Sequence, residues 1–174
     1  MKGRIHIYCG DGKGKTSAAI GLAVRAAGRE KKVLIARFLK TDDSGEVPVL
    51  AQIKGITVIP CERTFGFVFC MTEDEKAEAA AYFQDRFRNV CEMAVRERYD
   101  VVIFDELMAS CNYGMVKEEE ALRFLRERPE EMEVVMTGRD PSQALLEAAD
   151  YVSEICLIKH PFTEGLPARE GIEY

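Results

Sequence analysis

Short runs of consecutive apolar residues recur along the chain, and longer stretches with helical spacing of apolar residues separate them. Residues 33–36 and 101–104, within the segments 33–39 and 100–105, are apolar at successive positions, which is typical of strands that are buried on both faces of a sheet. Other short runs of this character are bounded by turn-forming and charged residues. The predicted strands are residues 4–9, 33–39, 57–61, 100–105, 133–137 and 151–158.

Helical patterns lie between these predicted strands. Residues 16–29 are rich in small side chains, and residues 73–98 carry an apolar stripe at the three- and four-residue spacing of a helix. Strands that alternate with helices predict an α/β fold with a mainly parallel central sheet that helices cover on both sides. No linker, repeat or low-complexity tract divides the sequence, so we expect residues 1–174 to form a single domain.

The loop after the first predicted strand has the composition of a phosphate-binding loop. It reads Gly10-Asp-Gly-Lys-Gly-Lys-Thr-Ser17 and precedes a predicted helix. Its glycines let successive backbone N–H groups point at oxygen anions, and the helix adds the positive end of its dipole. The general Walker pattern has one residue more between the first glycine and the Gly-Lys-Thr triplet. A flexible turn without a ligand is the alternative interpretation.

This loop predicts binding of the triphosphate of ATP together with Mg²⁺. We expect Lys15 to contact a phosphate and to be exposed when no ligand is bound, and the Thr16 hydroxyl to ligate Mg²⁺. The residues expected to bind the nucleotide are Gly10, Asp11, Gly12, Lys13, Gly14, Lys15, Thr16 and Ser17.

Two acidic residues end the apolar run at 101–104, which gives this segment the form of a Walker B strand. Mg²⁺ takes carboxylate oxygens together with phosphate oxygens and water, so either Asp105 or Glu106 could ligate it directly or through water. A strand that ends in solvated acids is the alternative. Lys40 and the turn at 44–46 follow another strand at the same sheet edge and are weak signals on their own.

Two further segments lie at this edge. Arg139 follows the strand at 133–137, where an arginine can bind a phosphate bidentately; alternatively it pairs with Asp140 or another nearby acid. Phe65, Phe67 and Phe69 alternate before the long helix and would share one side of an extended segment. They are either buried as a strand or available to a flat apolar ligand.

Composition excludes several classes of protein. The net charge is −6, yet residues 1–40 carry ten Lys/Arg and two acidic residues. An acidic chain is a poor nucleic-acid binder, so we expect no nucleic-acid partner; the basic pole either receives a small phosphorylated ligand or is merely an uneven surface. No apolar stretch reaches the ~18 residues of a membrane helix, and the N-terminus lacks a signal-peptide pattern.

The six cysteines never have the two-residue spacing of a metal knuckle, and most of them sit within predicted apolar strands or helices, as buried free thiols do. These features predict a reduced, cytoplasmic protein without a membrane partner. No Ser/His/Asp or Cys/His nucleophile arrangement is visible, so we expect the ligands to bring the reactive group.

Taken together, these motifs resemble the ATP:cob(I)alamin (corrinoid) adenosyltransferases of the P-loop type, from about residue 4 to residue 174. The short-spaced phosphate loop is the form that this family uses. The other segments that carry the resemblance are 37–40, 44–46, 66–69, 105–106, 137–139, 152–154, 159–162 and 171–174.

The resemblance implies transfer of the 5′-deoxyadenosyl group of ATP to the Co(I) of a corrinoid, with release of triphosphate. It also implies a RecA-like, three-layer P-loop NTPase fold, a homodimer, and a flavoprotein as electron donor. By position, Lys15 and Thr16 would hold triphosphate and Mg²⁺, Glu106 would be the acidic metal ligand, and Phe67 and Phe69 would face the corrin.

Lys15 and Arg139 are the residues expected to stabilise the departing triphosphate. Two other functions remain open from the residues alone: a P-loop switch that senses ATP and contacts a partner, and a plain NTPase or kinase. Triphosphate as the product of ATP and a reduced corrinoid would distinguish the first function from both.

Overall fold

A computed structural model describes residues 2–41, 43–66 and 68–173. Its strands are β1 (Ile5–Cys9), β2 (Val33–Arg37), β3 (Ile56–Val58), β4 (Val101–Asp105), β5 (Glu133–Thr137) and β6 (Tyr151–Glu154). Its helices are α1 (Lys15–Ala27), α2 (Glu46–Leu50), α3 (Glu73–Arg96), α4 (Leu107–Asn112), α5 (Glu118–Glu127) and α6 (Gln143–Ala148), with 3₁₀ turns at Val68–Cys70 and Pro161–Glu164.

The six strands form one sheet in the order β3-β2-β4-β5-β1-β6, and every neighbouring pair runs parallel. Successive side chains of β2 point to opposite faces of the sheet: Leu34 packs with α3 on one face, whereas Ile35 packs with α1 on the other. Because both faces are covered, most positions of the central strands are apolar, and polar residues such as His6 in β1 and Arg37 at the end of β2 are exceptions. The predicted three-layer α/β arrangement is confirmed.

The long helix α3 begins where the sequence provides a cap. The Thr72 side chain accepts a hydrogen bond from the Glu75 backbone N–H, while the Glu75 carboxylate accepts one from the Thr72 backbone, a capping box. Its buried face includes Phe83 and Phe87, whose rings pack against Phe38 from the chain just beyond β2. This aromatic layer fixes the end of β2 against α3, next to the carboxyl edge of the sheet.

Several predicted strands extend too far. The strand predicted at 33–39 ends at Arg37, because Leu39 has a left-handed φ of 53° that turns the chain away. The strand predicted at 57–61 ends at Val58, shortly before Pro60, whose nitrogen cannot donate to a sheet. The last strand stops at Glu154 rather than at residue 158.

The short helices α2, α4, α5 and α6 were not predicted from the sequence. They have five to ten residues, so each shows too few turns for a helical period to stand out. None of the helices within the described part of the chain is long and apolar enough to cross a membrane.

Candidate active site

The phosphate loop connects β1 to α1 at the carboxyl edge of the sheet. Gly14 has a φ of 123°, a backbone conformation that other residues adopt only with strain. The Gly12 N–H donates to the Ile155 carbonyl at 2.7 Å, and a Cβ on Gly12 would lie 2.6 Å from that same oxygen. The loop is therefore held close to the segment after β6, in a way that only glycine permits at residue 12.

Lys15 is buried, and the prediction that it would be exposed without ligand was wrong. Its ammonium folds back and donates to the Gly12 carbonyl at 2.9 Å, so the side chain lies beneath the loop that precedes it. Burial lowers the pKa of Lys15, while the nearby Glu106 carboxylate opposes this change. An anion in the loop would offer the ammonium a charged partner in place of a carbonyl.

Asp105 ends β4 and is the most enclosed acid of the site, with only 1% of its surface exposed. One carboxylate oxygen, Oδ1, accepts from the Thr16 hydroxyl at 2.8 Å and from the Thr137 hydroxyl at 2.6 Å. The other, Oδ2, accepts from the Lys40 ammonium at 2.6 Å. The acid thus joins residues from the ends of β2, β4 and β5 to the start of α1, and it is not a solvated strand end.

Glu106 follows in a left-handed conformation, with φ of 61°, and precedes α4. Its backbone N–H donates to the Thr137 hydroxyl at 2.9 Å. Burial raises the pKa of the Glu106 carboxyl; the cationic Lys40 lowers it and Asp105 raises it further. A strained non-glycine residue next to buried charges is typical of functional sites.

Arg139 lies in the loop after β5, and 60% of its side chain is exposed. Its Nε is 3.5 Å from the Asp11 carboxylate, so the nearby acid that it meets is Asp11 rather than Asp140. The Asn112 amide donates to the carbonyls of Arg139 and Asp140 at 3.2 and 3.1 Å, which fixes the loop backbone. The guanidinium itself remains available to a ligand above the phosphate loop.

Three residues of this site were weak or missing in the sequence prediction. Lys40 was only a weak signal, and Thr137 was noted only as part of its strand end. Glu173 lies in the segment 171–174, which carries the family resemblance, but it was not predicted as a site residue; its carboxylate accepts from the Lys13 ammonium at 2.7 Å and from Arg169. Spacing in the sequence gives no signal for the contact between residues 13 and 173.

A cavity of about 1020 Å³ opens beside the phosphate loop. Its walls come from the exposed side of α1, the chain after β2, the segment before α3 and the residues near the chain end. Representative lining residues are Thr16, Ile20, Lys40, Phe65 and Ile172. The volume is at the upper end of what small-molecule sites usually provide.

The aromatic segment is not a strand. Phe65 is half-buried, packs against Tyr82 and Phe83, and carries Arg63 4.7 Å above its ring. Phe69 belongs to the 3₁₀ turn Val68–Cys70 and is 81% exposed, so the chain is not extended at residues 68 and 69 and this ring is not buried as part of a strand. The reason is that the chain has to bend into the start of α3. Phe67 lies outside the described residues.

No three His, Cys, Asp or Glu side chains in the described ranges form a group that could hold a metal ion by themselves. A metal here would have to combine protein oxygens with those of a ligand, as Mg²⁺ commonly does in nucleotide sites.

Solved structures with this fold include ATPase modules. The cytoplasmic domain of EssC matches with a TM-score of 0.54 and 16% identity, over 96% of this chain and 34% of that one. EssC ATPases 2 and 3 from Geobacillus thermodenitrificans match with a TM-score of 0.52 and 13% identity, over 97% of this chain and 35% of that one. At such identities the likeness concerns the fold alone, and it agrees with the predicted three-layer α/β fold.

Known proteins of similar sequence include several corrinoid adenosyltransferases. That of Escherichia coli K12 is 35% identical over 174 residues, covering 99% of this chain and 86% of its own length. The corrinoid adenosyltransferase CobA of Salmonella typhimurium LT2 is 34% identical with the same coverage, and one from Sinorhizobium is 32% identical, with 99% and 81% covered. The sequence model described as "ATP:corrinoid adenosyltransferase BtuR/CobO/CobP" matches residues 1–174. The chain therefore belongs to the ATP:corrinoid adenosyltransferase family.

Proposed function

We propose that this protein is an ATP:corrinoid adenosyltransferase that transfers the 5′-deoxyadenosyl group of ATP to the Co(I) of a corrinoid. The observation that carries this proposal is the family match over residues 1–174, on a chain whose phosphate loop borders a cavity of about 1020 Å³. A phosphate loop beside a large cavity suits two substrates that must meet. The family match does not favour a switch or a plain NTPase.

The proposed reaction needs little from protein side chains as acids or bases. Co(I) is the nucleophile: its electron pair forms the Co–C5′ bond, the C5′–O bond breaks, and its electron pair leaves with triphosphate. The protein has to hold C5′ in line with cobalt and to stabilise the leaving group. This agrees with the sequence, in which no nucleophile arrangement was visible.

Cationic groups around the loop support a role in holding triphosphate. We infer that Lys15 releases the Gly12 carbonyl for a phosphate oxygen and that Arg139 exchanges its long contact with Asp11 for one. Lys13 is the third such group, and it would have to leave Glu173. The backbone N–H groups of residues 10–17 would complete the phosphate site.

The residues at the end of β4 fit a bound Mg²⁺. We infer that Thr16 and Glu106 would hold the ion, with Asp105 beside them, because all three offer oxygen donors. The ammonium of Lys40 lies between Thr16 and Asp105 at 2.9 and 2.6 Å, which supports a cation at this position. When bound, Mg²⁺ would neutralise charge on the triphosphate.

The corrinoid is proposed to occupy the cavity side of the loop. Phe67 and Phe69 are proposed to face the corrin and to displace its lower axial base, which would make Co(II) easier to reduce. The exposed ring of Phe69 supports a ligand role over a core role. An electron-donating flavoprotein is proposed as the source of Co(I).

We further propose a cytoplasmic homodimer whose protomer is one domain over residues 1–174. Six free cysteines suit a reducing compartment. The edge strand β6 exposes all four of its residues, and Leu157 and Ile158 continue the apolar surface that a second copy could cover. The shared six-stranded sheet supports one domain.

Anaerobic turnover tests the function. ATP, Mg²⁺ and chemically reduced cob(I)alamin are mixed with the protein, and the visible spectrum should change from that of Co(I) to that of an alkylcobalamin only when all components are present. A spectrum that stays that of cob(I)alamin, with folded protein and saturating ATP, would contradict the assignment.

A further inference from the structure

The Lys40 ammonium is placed where the proposed metal ion would bind. Its Nζ lies 2.9 Å from the Thr16 hydroxyl oxygen and 2.6 Å from Asp105 Oδ2. These are two of the oxygen donors that are proposed to surround Mg²⁺. The side chain reaches them from the turn after β2, which Leu39 makes with a left-handed backbone.

The contact gives the buried Asp105 carboxylate a positive counter-charge when no metal is bound. Asp105 is 1% exposed, and an ionised carboxylate that is buried without a counter-charge is strongly destabilising. The hydroxyls of Thr16 and Thr137 satisfy Oδ1, but they carry no charge. Among the described cations, Lys40 is the one that forms an ion pair with Asp105, and it does so through Oδ2.

The same contact cannot persist when a metal binds to the Thr16 hydroxyl oxygen beside Asp105. A Mg²⁺ ion lies about 2.0–2.1 Å from its oxygen ligands, so an ion on that hydroxyl would come into repulsive proximity with an ammonium 2.9 Å from the same oxygen. Lys40 also lines the large cavity, with 27% of its side chain exposed, so its flexible stem has room to turn outward.

We propose that the Lys40 ammonium takes the place of the metal ion and neutralises Asp105 when no Mg²⁺ is bound. When Mg²⁺ binds together with the nucleotide, it displaces the ammonium, which can then contact the phosphates. This inference rests on the proposed Mg²⁺ site. It makes Lys40 a positioning residue, which keeps the Thr16–Asp105 pair assembled and suppresses metal binding in the absence of nucleotide.

The test is thermal unfolding of the ligand-free full chain with and without millimolar Mg²⁺, at matched ionic strength and without nucleotide or corrinoid. Lys40→Met removes the charge and keeps a flexible stem. Lys31→Met is the matched control, because Lys31 pairs with Asp100 at 3.0 Å at the opposite edge of the sheet. For wild type, the Tm with Mg²⁺ should equal the Tm without it, and the same should hold for Lys31→Met. Lys40→Met should melt below wild type without Mg²⁺ and regain several degrees with it.

Direct binding provides a second readout. Mn²⁺ takes the same oxygen ligands as Mg²⁺ and its free concentration can be followed by electron paramagnetic resonance. We expect Lys40→Met to bind Mn²⁺ at least about tenfold more tightly than wild type, because the competing charge is gone. Equal Mn²⁺ affinity in the two proteins, or a Mg²⁺ response of Lys40→Met no larger than that of Lys31→Met, would overturn the proposal.

A double variant keeps the proposal testable if Lys40→Met does not fold. Asp105→Asn combined with Lys40→Met removes both charges, so it should fold and lose the Mg²⁺ response. A double variant as unstable as the single one would mean that Lys40 acts through another contact, and the proposal would fail. The melting and Mn²⁺-binding experiments contain neither nucleotide nor corrinoid. If the separate turnover experiment showed no adenosyl transfer, the proposed function would be refuted, but the results of these two experiments would still stand.

Discussion

Replacement of Phe69 by alanine separates a ligand-facing ring from a core ring. Phe69 is 81% exposed, so truncation removes about a fifth of the burial energy of a Phe side chain, or about 0.5 kcal/mol. For a chain of this size that corresponds to a loss of roughly 1–2 °C in Tm. Phe87→Ala is the matched control: its ring is 2% exposed and packs on Phe38 and Phe104, so we expect a loss of about 3–5 kcal/mol.

The assay compares two starting states of cobalt. If Phe69 helps to clear the lower axial ligand, that step is already complete when chemically prepared Co(I) is supplied. Phe69→Ala should then transfer the adenosyl group at near wild-type rate from Co(I), and at a much lower rate from Co(II) with a protein reductant. Phe67→Ala is predicted to behave in the same way.

Two outcomes would refute this reasoning. A loss of Tm in Phe69→Ala similar to that in Phe87→Ala would show that the Phe69 ring contributes to the core rather than facing a ligand. Equal loss of activity from both cobalt states would reject the role in ligand displacement, because the effect would then lie in substrate binding or in the transfer step.

Three further predictions concern the phosphate loop, the metal and the stability of the sheet edge. Lys15→Ala should abolish ATP binding measured by calorimetry while retaining a cooperative melt, since its ammonium bonds only to a loop carbonyl among the described contacts; near-normal turnover at low ATP would contradict this. Glu106→Gln should shift the Mg²⁺ dependence of turnover to much higher concentration, and if Asp105→Asn does so while Glu106→Gln does not, the acids have been assigned in the wrong order. Asp150 accepts from the backbone N–H of Ile5 and from an arginine, and these bonds lower its pKa; its stabilisation is therefore present above the unfolded-state pKa and is lost as pH falls through the folded-state value. Asp150→Asn should melt below wild type at pH 7, and the difference should shrink in acid; a difference that is independent of pH would rule out the charge as its cause.

The parts of the structure that the sequence predicted are those fixed by local pattern. Continuous apolar runs give the strands, and β5 has the predicted bounds, because burial on both faces favours apolar residues such as Val134, Val135 and Met136 between its ends. The phosphate loop was also readable, since its glycines and its lysine are adjacent in the chain. The acids at the end of β4, such as Asp105, were also predicted, because they directly follow an apolar run in the sequence.

The parts that escaped prediction depend on contacts between distant residues. Lys40 meets Thr16 and Asp105 only because a left-handed Leu39 redirects the chain after β2. Lys15 was expected to be exposed, but the curl of its own loop buries it. A pattern of alternating aromatics could not show that residues 68–70 bend into a 3₁₀ turn before α3.

The identity of the phosphate product tests the central claim most directly. Phosphorus NMR of an anaerobic reaction with ATP and cob(I)alamin should show one inorganic triphosphate for each adenosylcobalamin formed, and no triphosphate when the corrinoid is omitted. Release of phosphate with ADP, independent of the corrinoid, would contradict adenosyl transfer and identify the protein as an ordinary ATPase.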